Sequence, residues 1–355
     1  MHFGIISPPV SGHIHPMAVL GRELIARGHR VTYLQMLDLE EKIRSEGLEF
    51  EPIGEDVFPK GWLPQSLAAL GRLKGSAALR FTVGEVTKTT EAICRDAPAA
   101  IKRLAIDALI VDQTEPAGGS VAEHLGRPFV TVCPALPLNR DEIAPPPFTG
   151  WRYRDSPFAR VRNRLGYAVA DWTTSRVAAV LRRYREAWGL AAHEMPDDSF
   201  SRLAQISQMP RELDFPRRSL PESFHYVGPL RDSRTREIPF PWDRLDGRPI
   251  VFASLGTLQN SRAAVFRRFC DACRPLKAQV VVSHGGGLTE AEAASLPGDP
   301  LVVPYAPQTA LLERASLTLT HAGLNTVLDS LAAGVPVVAV PITYEQPAIA
   351  RRLEA

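Results

Sequence analysis

Tyr305, Gln308, His321, Asn325, Thr326, Asp329, Glu345 and Gln346 bring a stacking ring, an imidazole, amides and carboxylates together within residues 305–346 of the chain. Thr320, His321, Ala322 and Gly323 stand where an apolar strand pattern gives way to a helical one. The unpaired amides and dipole of a helix N-terminus favour an anion, and open α/β sheets bind ligands at this carboxyl edge. Gly323 would let the backbone approach closely, while His321, Asn325 and Thr326 add donors; together they suit a diphosphate. Tyr305, ahead of Pro307 and Gln308, could stack on a base whose edge the Gln308 amide would read. Asp329 could accept from ribose hydroxyls, and Glu345 and Gln346 could hold the hydroxyls of a sugar ring. Each residue also has a plain structural reading: capping by Thr320 and Asn325, a half-buried loop tyrosine, a solvated aspartate, an acidic first turn. As a group they fit a nucleotide diphosphate sugar.

A second set lies near the N-terminus. His13 and His15 follow the first apolar run in the loop SGHIHP. An imidazole titrates near neutral pH and suits a base that takes the proton of a hydroxyl. Either histidine could instead satisfy loop backbone groups. Asp112 ends the run ALIVD, where a carboxylate could orient an imidazole or simply close a turn.

The elements that must position these residues are legible as alternating strand and helix patterns. Strands are expected at 3–7, 30–34, 49–53, 108–111 and 129–132, with helices between. The first helix should start at Pro16, a residue suited to an opening turn, and a short helix should follow near 39–45. A second alternation places strands at 250–254, 280–283, 301–303, 317–320 and 337–339. Such alternation predicts α/β architecture with parallel sheets covered on both faces. At 355 residues two domains are expected: 1–227, a linker at 228–246 read from its loop-forming composition, and 247–355.

A net charge of +2, with 23% charged residues, gives no electrostatic case for a nucleic-acid partner. The first residues carry no basic leader and only a short apolar run, which predicts neither a signal peptide nor a membrane span. Four scattered cysteines suggest a reducing, cytoplasmic setting. The Cys270–Cys273 spacing sits in a helical pattern without a second pair and reads as packing. No DxD metal motif occurs, and no metal or other cofactor is expected besides the nucleotide sugar as co-substrate.

The pattern Tyr305-x-Pro307-Gln308, His321-x-Gly323-x-Asn325-Thr326-x-x-Asp329, Gly334-Val335-Pro336 and Pro341-x-x-x-Glu345-Gln346 resembles the donor signature of family 1 glycosyltransferases. The resemblance implies a GT-B fold, two facing Rossmann-like domains, with acceptor binding in the first and nucleotide-sugar binding in the second. The run VFASLGT resembles the family's turn beside the diphosphate, which adds Gly256 and Thr257 to the donor set. The loop SGHIHP resembles the family's GHxxP loop, whose first histidine is the base. That implies His13 as base and Asp112 as its partner, with direct displacement and inversion at the anomeric carbon. Relative to the plant form, Tyr305 stands for Trp, Ala322 for Cys, Leu324 for Trp, Asp329 for Glu and Glu345 for Asp.

Residues 111–132 resemble bacterial zeaxanthin- and macrolide-type glucosyltransferases, which implies UDP-glucose as donor and an apolar hydroxylated acceptor such as a carotenoid. The arginine and aromatic mixture of 152–185 suits a segment resting on an anionic membrane, or a charged helical pair covering the domain. A UDP-sugar epimerase and a non-catalytic nucleotide-sugar-binding subunit are the alternatives. The resemblance also implies a further strand and helices beyond ARRLEA, so the second domain is expected to be incomplete.

Overall fold

Nearly every apolar run becomes a parallel strand, and the strands divide between two sheets. The computed structural model describes residues 1–231, 238–257 and 260–355. The chain forms two units, Met1–Pro147 with Arg152–Arg231, and Phe148–Trp151 with Asp232–Ala355. Part of the expected linker, residues 232–237, lies outside the described residues.

The first unit holds β1 (His2–Ile6), α1 (Ser11–Ala26), β2 (Arg30–Gln35), α2 (Glu40–Ser45), β3 (Glu49–Pro52), α3 (Trp62–Arg72) and α4 (Gly75–Arg103). It continues with β4 (Ala108–Asp112), α5 (Pro116–His124), β5 (Phe129–Cys133), α6 (Pro157–Thr173), α7 (Ser175–Ala187), β6 (Gln205–Ser207) and β7 (Phe224–Tyr226). Its sheet runs β3-β2-β1-β4-β5-β6-β7, all parallel. Central strands are buried throughout, as β4 shows, because helices cover both faces. Alternate residues serve opposite cores. Ile5, Tyr33 and Ile110 pack with Ile14 and Met17 of α1 and Ile43 of α2. Ile6, Leu34, Leu109 and Val111 pack with Ile93 and Ile101 of α4 and Val121 of α5.

The second unit holds β8 (Ile250–Ser254), α8 (Ala263–Cys273), β9 (Gln279–Ser283), α9 (Glu290–Ala294), β10 (Leu301–Val303) and α10 (Gln308–Leu312). There follow β11 (Ala315–Thr320), α11 (Leu324–Ala332), β12 (Val337–Ala339) and α12 (Gln346–Leu353). Its parallel sheet runs β10-β9-β8-β11-β12. Val251, Ala253, Val280 and Val282 face Phe266 and Phe269 of α8, while Phe252, Val281 and Leu301 face Leu311 and Leu312 of α10. Cys270 and Cys273 belong to the α8 core, where burial pushes the Cys270 thiol up to about 11.

Three features differ from the sequence reading. Helix α1 begins at Ser11, so Pro16 lies inside it rather than in its opening turn. Pro16 cannot donate a backbone hydrogen bond, and burial of Ile14, Pro16 and Met17 offsets that loss. Strands β6 and β7 stand before the expected linker and were not expected; both are only three residues long, too short to show a period. The segment between the expected strands at 49–53 and 108–111 holds α3 and the 29-residue α4, whose buried residues run from Thr89 onward.

Candidate active site

Both sheets reverse their strand order once, and ligands of open α/β sheets bind at the carboxyl ends flanking such a switch point. In the first unit β1 and β4 flank it; in the second, β8 and β11 do.

At the first switch point the chain leaves β1 and enters α1 at once. Val10 is extended, and its carbonyl accepts from the N–H groups of His13 and Ile14, both at 3.0 Å. This fixes His13 in the first turn, beside the end of β4. Its Nδ1 donates to Asp112 Oδ2 at 2.8 Å. Asp112 is fully buried, and its Oδ1 accepts from the Thr114 N–H at 2.9 Å and hydroxyl at 2.7 Å. The aspartate thus holds the proton on Nδ1 and leaves Nε2 as the basic nitrogen. The His13 side chain is 18% exposed, which keeps the imidazole reachable while the carboxylate behind it is dry. His15 instead lies 3.9 Å from Glu46, which Arg22 holds at 2.6 Å.

Sequence reading missed two residues here. Thr114, two places after Asp112, closes a local side-chain turn, a habit of aspartate at strand ends. Glu115 is buried with its Oε2 lacking a hydrogen-bond partner among the described residues. Burial, then the charge of Asp112, pushes its carboxyl up to about 8, against the opposing pull of His13. The signal available was the run DQTE immediately after a buried strand.

At the second switch point His321 follows β11 and is nearly buried. Its ring fits between two glycines. A Cβ on Gly256, after β8, would come within 2.8 Å of the imidazole Cε1, and one on Gly323 within 2.7 Å. Gly256 also has φ of +66°, where side chains are strained. Burial pushes the His321 imidazole down to about 4, so at neutral pH the ring is uncharged. The positive potential at this corner therefore comes from the helix end, with His321 offering a neutral hydrogen bond. Helix α11 starts from Gly323, which has no side chain to cap the first turn, and Asn325 and Thr326 lie in that turn. Ala322, between His321 and Gly323, holds φ of +68°.

The structure joins Gln308, Thr326 and Asp329. The Gln308 amide donates to Asp329, and the Thr326 hydroxyl donates to Gln308 Oε1 at 3.3 Å. Gln308 and Asp329, assigned separately to base and ribose, thus brace one another from α10 and α11. Tyr305 is 54% exposed, and its hydroxyl donates to the Gly285 carbonyl at 3.2 Å. Gln346 is buried at the start of α12, its Oε1 accepting from the N–H groups of Ile342 and Thr343 at 2.8 and 2.9 Å. That side chain shapes the 341–345 turn and keeps only its NH₂ group for a ligand. Glu345, half-buried, is the residue from which α12 starts. Thr257 is exposed beside Gly256.

The sequence reading also passed over the glycines after β9. The Asn260 amide donates to the Gly285 carbonyl at 2.7 Å, and a Cβ on Gly285 would meet the Gly256 carbonyl at 2.8 Å. The loop therefore packs on the turn after β8 and carries the acceptor for Tyr305. The run SHGGG directly after a buried strand was the available signal. Among the described residues no group of three or more His, Cys, Asp or Glu side chains is arranged to hold a metal ion.

Two glycosyltransferase family models match the chain. The family model described as UDP-glucoronosyl and UDP-glucosyl transferase matches residues 85–355, and the glycosyltransferase family 28 N-terminal domain matches 11–135. The chain is 39% identical to a zeaxanthin glucosyltransferase of Pantoea ananas, over 99% of this chain and 82% of that protein. It is equally similar, at 39%, to a zeaxanthin glucosyltransferase of Pseudescherichia vulneris, over 99% and 84%. A solved structure, the glycotransferase of kitacinnamycin, superposes with a TM-score of 0.75 at 22% identity, over 99% of this chain and 84% of that one.

Proposed function

The chain belongs to the UDP-glucoronosyl and UDP-glucosyl transferase family, with its two-sheet GT-B fold, and we propose that it moves glucose from UDP-glucose to a hydroxyl of a carotenoid-like acceptor. As a member it is a glycosyltransferase that takes its sugar from a nucleotide sugar. The proposed base mechanism rests on the 2.8 Å bond between His13 and a fully buried Asp112. His13 Nε2 takes the proton of the acceptor hydroxyl as its oxygen attacks the anomeric carbon. The bond from that carbon to the β-phosphate oxygen breaks on the opposite side, and its electron pair leaves with UDP. One displacement inverts the anomeric centre. Asp112 stabilises the imidazolium that forms, and Thr114 holds Asp112 in place.

The second unit takes the donor. The amides that open α11 meet the diphosphate, and the neutral His321 adds a hydrogen bond without needing a cation. Tyr305 stacks on the uracil, Asp329 and Gln308 together meet the ribose, and Glu345 with the Gln346 NH₂ group meets the hexose. The remaining donor positions, Gly256, Thr257, Gly323, Asn325 and Thr326, lie around the phosphates. The apolar acceptor is supported by the similarity to two zeaxanthin glucosyltransferases.

The test is a transfer assay with UDP-glucose and zeaxanthin in detergent, with and without a chelator, and the product's anomeric configuration read by NMR. A β-glucoside formed equally in both conditions is expected. His13→Ala should lower turnover by about 10²–10⁴-fold while UDP still binds in calorimetry. Retained configuration, or turnover that survives the loss of His13, would overturn the mechanism.

A further inference from the structure

Helix α6 turns its large apolar side chains outward. Phe158, Val161, Leu165, Val169 and Trp172 recur at steps of three or four residues, which sets them on one face. Their exposures are 89, 55, 63, 61 and 79%. The buried face is instead made of Ala159, Asn163, Gly166 and Tyr167. Asn163 fixes that face by donating to the Glu142 carbonyl at 2.9 Å. A surface helix ordinarily buries its apolar side, and a contiguous exposed one marks a contact surface.

Cations are in excess around the stripe, although Arg164, Arg183 and Arg185 pair with Glu142, Glu91 and Glu123. Residues 152–185 contain nine arginines, no lysine and two aspartates. Both aspartates are already neutralised: Asp155 by Arg160 at 2.7 Å and Arg218 at 2.6 Å, and Asp171 by Arg140. Arg152, Arg154, Arg176 and Arg182 are exposed and form no ion pair among the described residues. Arg162 and Arg164 fall on the two flanks of the stripe by helical geometry, Arg164 paired there with Glu142.

We propose that α6 docks the protein on an anionic lipid surface, its apolar stripe entering the acyl boundary and the arginines pairing with lipid phosphates. The charge selects this occupant. A second copy of the chain would bring like-charged arginines together, which costs affinity, whereas an anionic bilayer meets both the stripe and its cationic flanks. Phe158 and Trp172 lie at the two ends of the stripe, and aromatic rings of this kind settle at the bilayer interface. No helix among the described residues is long and apolar enough to cross a membrane, so the contact is peripheral.

The test is co-sedimentation of the full chain with vesicles of phosphatidylcholine alone or mixed with phosphatidylglycerol, at low and high salt. Binding to the anionic vesicles at low salt, weakened by salt, is expected. The exposed pair Phe158→Ser with Trp172→Ser should weaken it by about tenfold or more, with circular dichroism unchanged. Arg152→Glu with Arg154→Glu should weaken it without altering the stripe. Absence of binding at low salt, or binding unchanged by both variants, would overturn the proposal. So would a dimer in analytical ultracentrifugation that Phe158→Ser with Trp172→Ser dissolves while lipid binding is absent, because the stripe would then seat a second copy.

Discussion

Glu115→Gln should make the protein more stable, and by an amount that grows with pH. Glu115 is buried beside the Asp112 carboxylate, and its carboxyl is raised from an ordinary 4.5 to about 8. A raised acid keeps its proton in the folded chain while the unfolded chain loses it. Below pH 4.5 both states hold the proton and the residue is neutral to stability. Between 4.5 and 8 the unfolded state binds fewer protons, so stability falls as pH rises, and above 8 the loss is complete. At about 1.4 kcal/mol per unit between those two values, the penalty approaches roughly 5 kcal/mol as an upper bound. A glutamine of the same shape has no proton to hold. Urea unfolding of both proteins at pH 5, 7 and 8.5 should therefore show a stability gap that widens with pH by several kcal/mol, with titration of all other groups cancelling between them. A gap that stays constant from pH 5 to 8.5 would refute the reasoning, since Glu115 would then share one ionisation state in both forms. The same proton bears on catalysis. Its release above pH 8 places a negative charge near His13 and strengthens the imidazole as a base, so the alkaline limb of the wild-type rate profile should differ from that of the glutamine variant.

Three further outcomes are expected. Asp112→Asn replaces a carboxylate that accepts from Nδ1 by an amide that stabilises the imidazolium poorly; turnover should fall by about 10²–10⁴-fold with the fold intact, and wild-type kinetics would remove Asp112 from the mechanism. Gly256→Ala places a Cβ 2.8 Å from the His321 ring at φ of +66°. It should cost roughly 1–3 kcal/mol, read as a lower unfolding midpoint together with weaker UDP binding, and no change in either would show that the turn yields freely. Tyr305→Ala should weaken UDP binding by roughly 1–3 kcal/mol in calorimetry; unaltered affinity would put the base elsewhere.

Much of this protein is written in local pattern. Central strands such as ALIVD and VFASL are apolar runs because both their faces are buried, and a run of that kind announces itself without any knowledge of its neighbours. The glycines and polar residues after those runs mark carboxyl ends, and so the strand-end corners where the candidate site residues stand were legible as well. Strands β6 and β7 were not, since three residues carry no period and their pairing partners lie far away in the chain. The start of α1 was misplaced because Pro16 is a good first-turn residue by local preference, while the burial that carries the helix back to Ser11 is supplied by the sheet.

The side-chain partnerships belong to the tertiary structure. His13 and Asp112 stand 99 positions apart and meet because β4 inserts beside β1. Neither histidine of SGHIHP could be preferred from the bare residues; the fold turns one to Asp112 and the other to Glu46. Gln308 and Asp329 looked like two independent ligand contacts and are joined to each other, and Gln346 is partly spent on its own turn. The neutrality of His321 and the protonation of Glu115 follow from burial, and burial is a property of everything packed around a group. The sequence by itself determined which chemical groups this protein has and at which strand ends they stand. Only the folded structure decided which of them face one another and in what charge state, because hydrogen bonds and desolvation act through space and not along the chain.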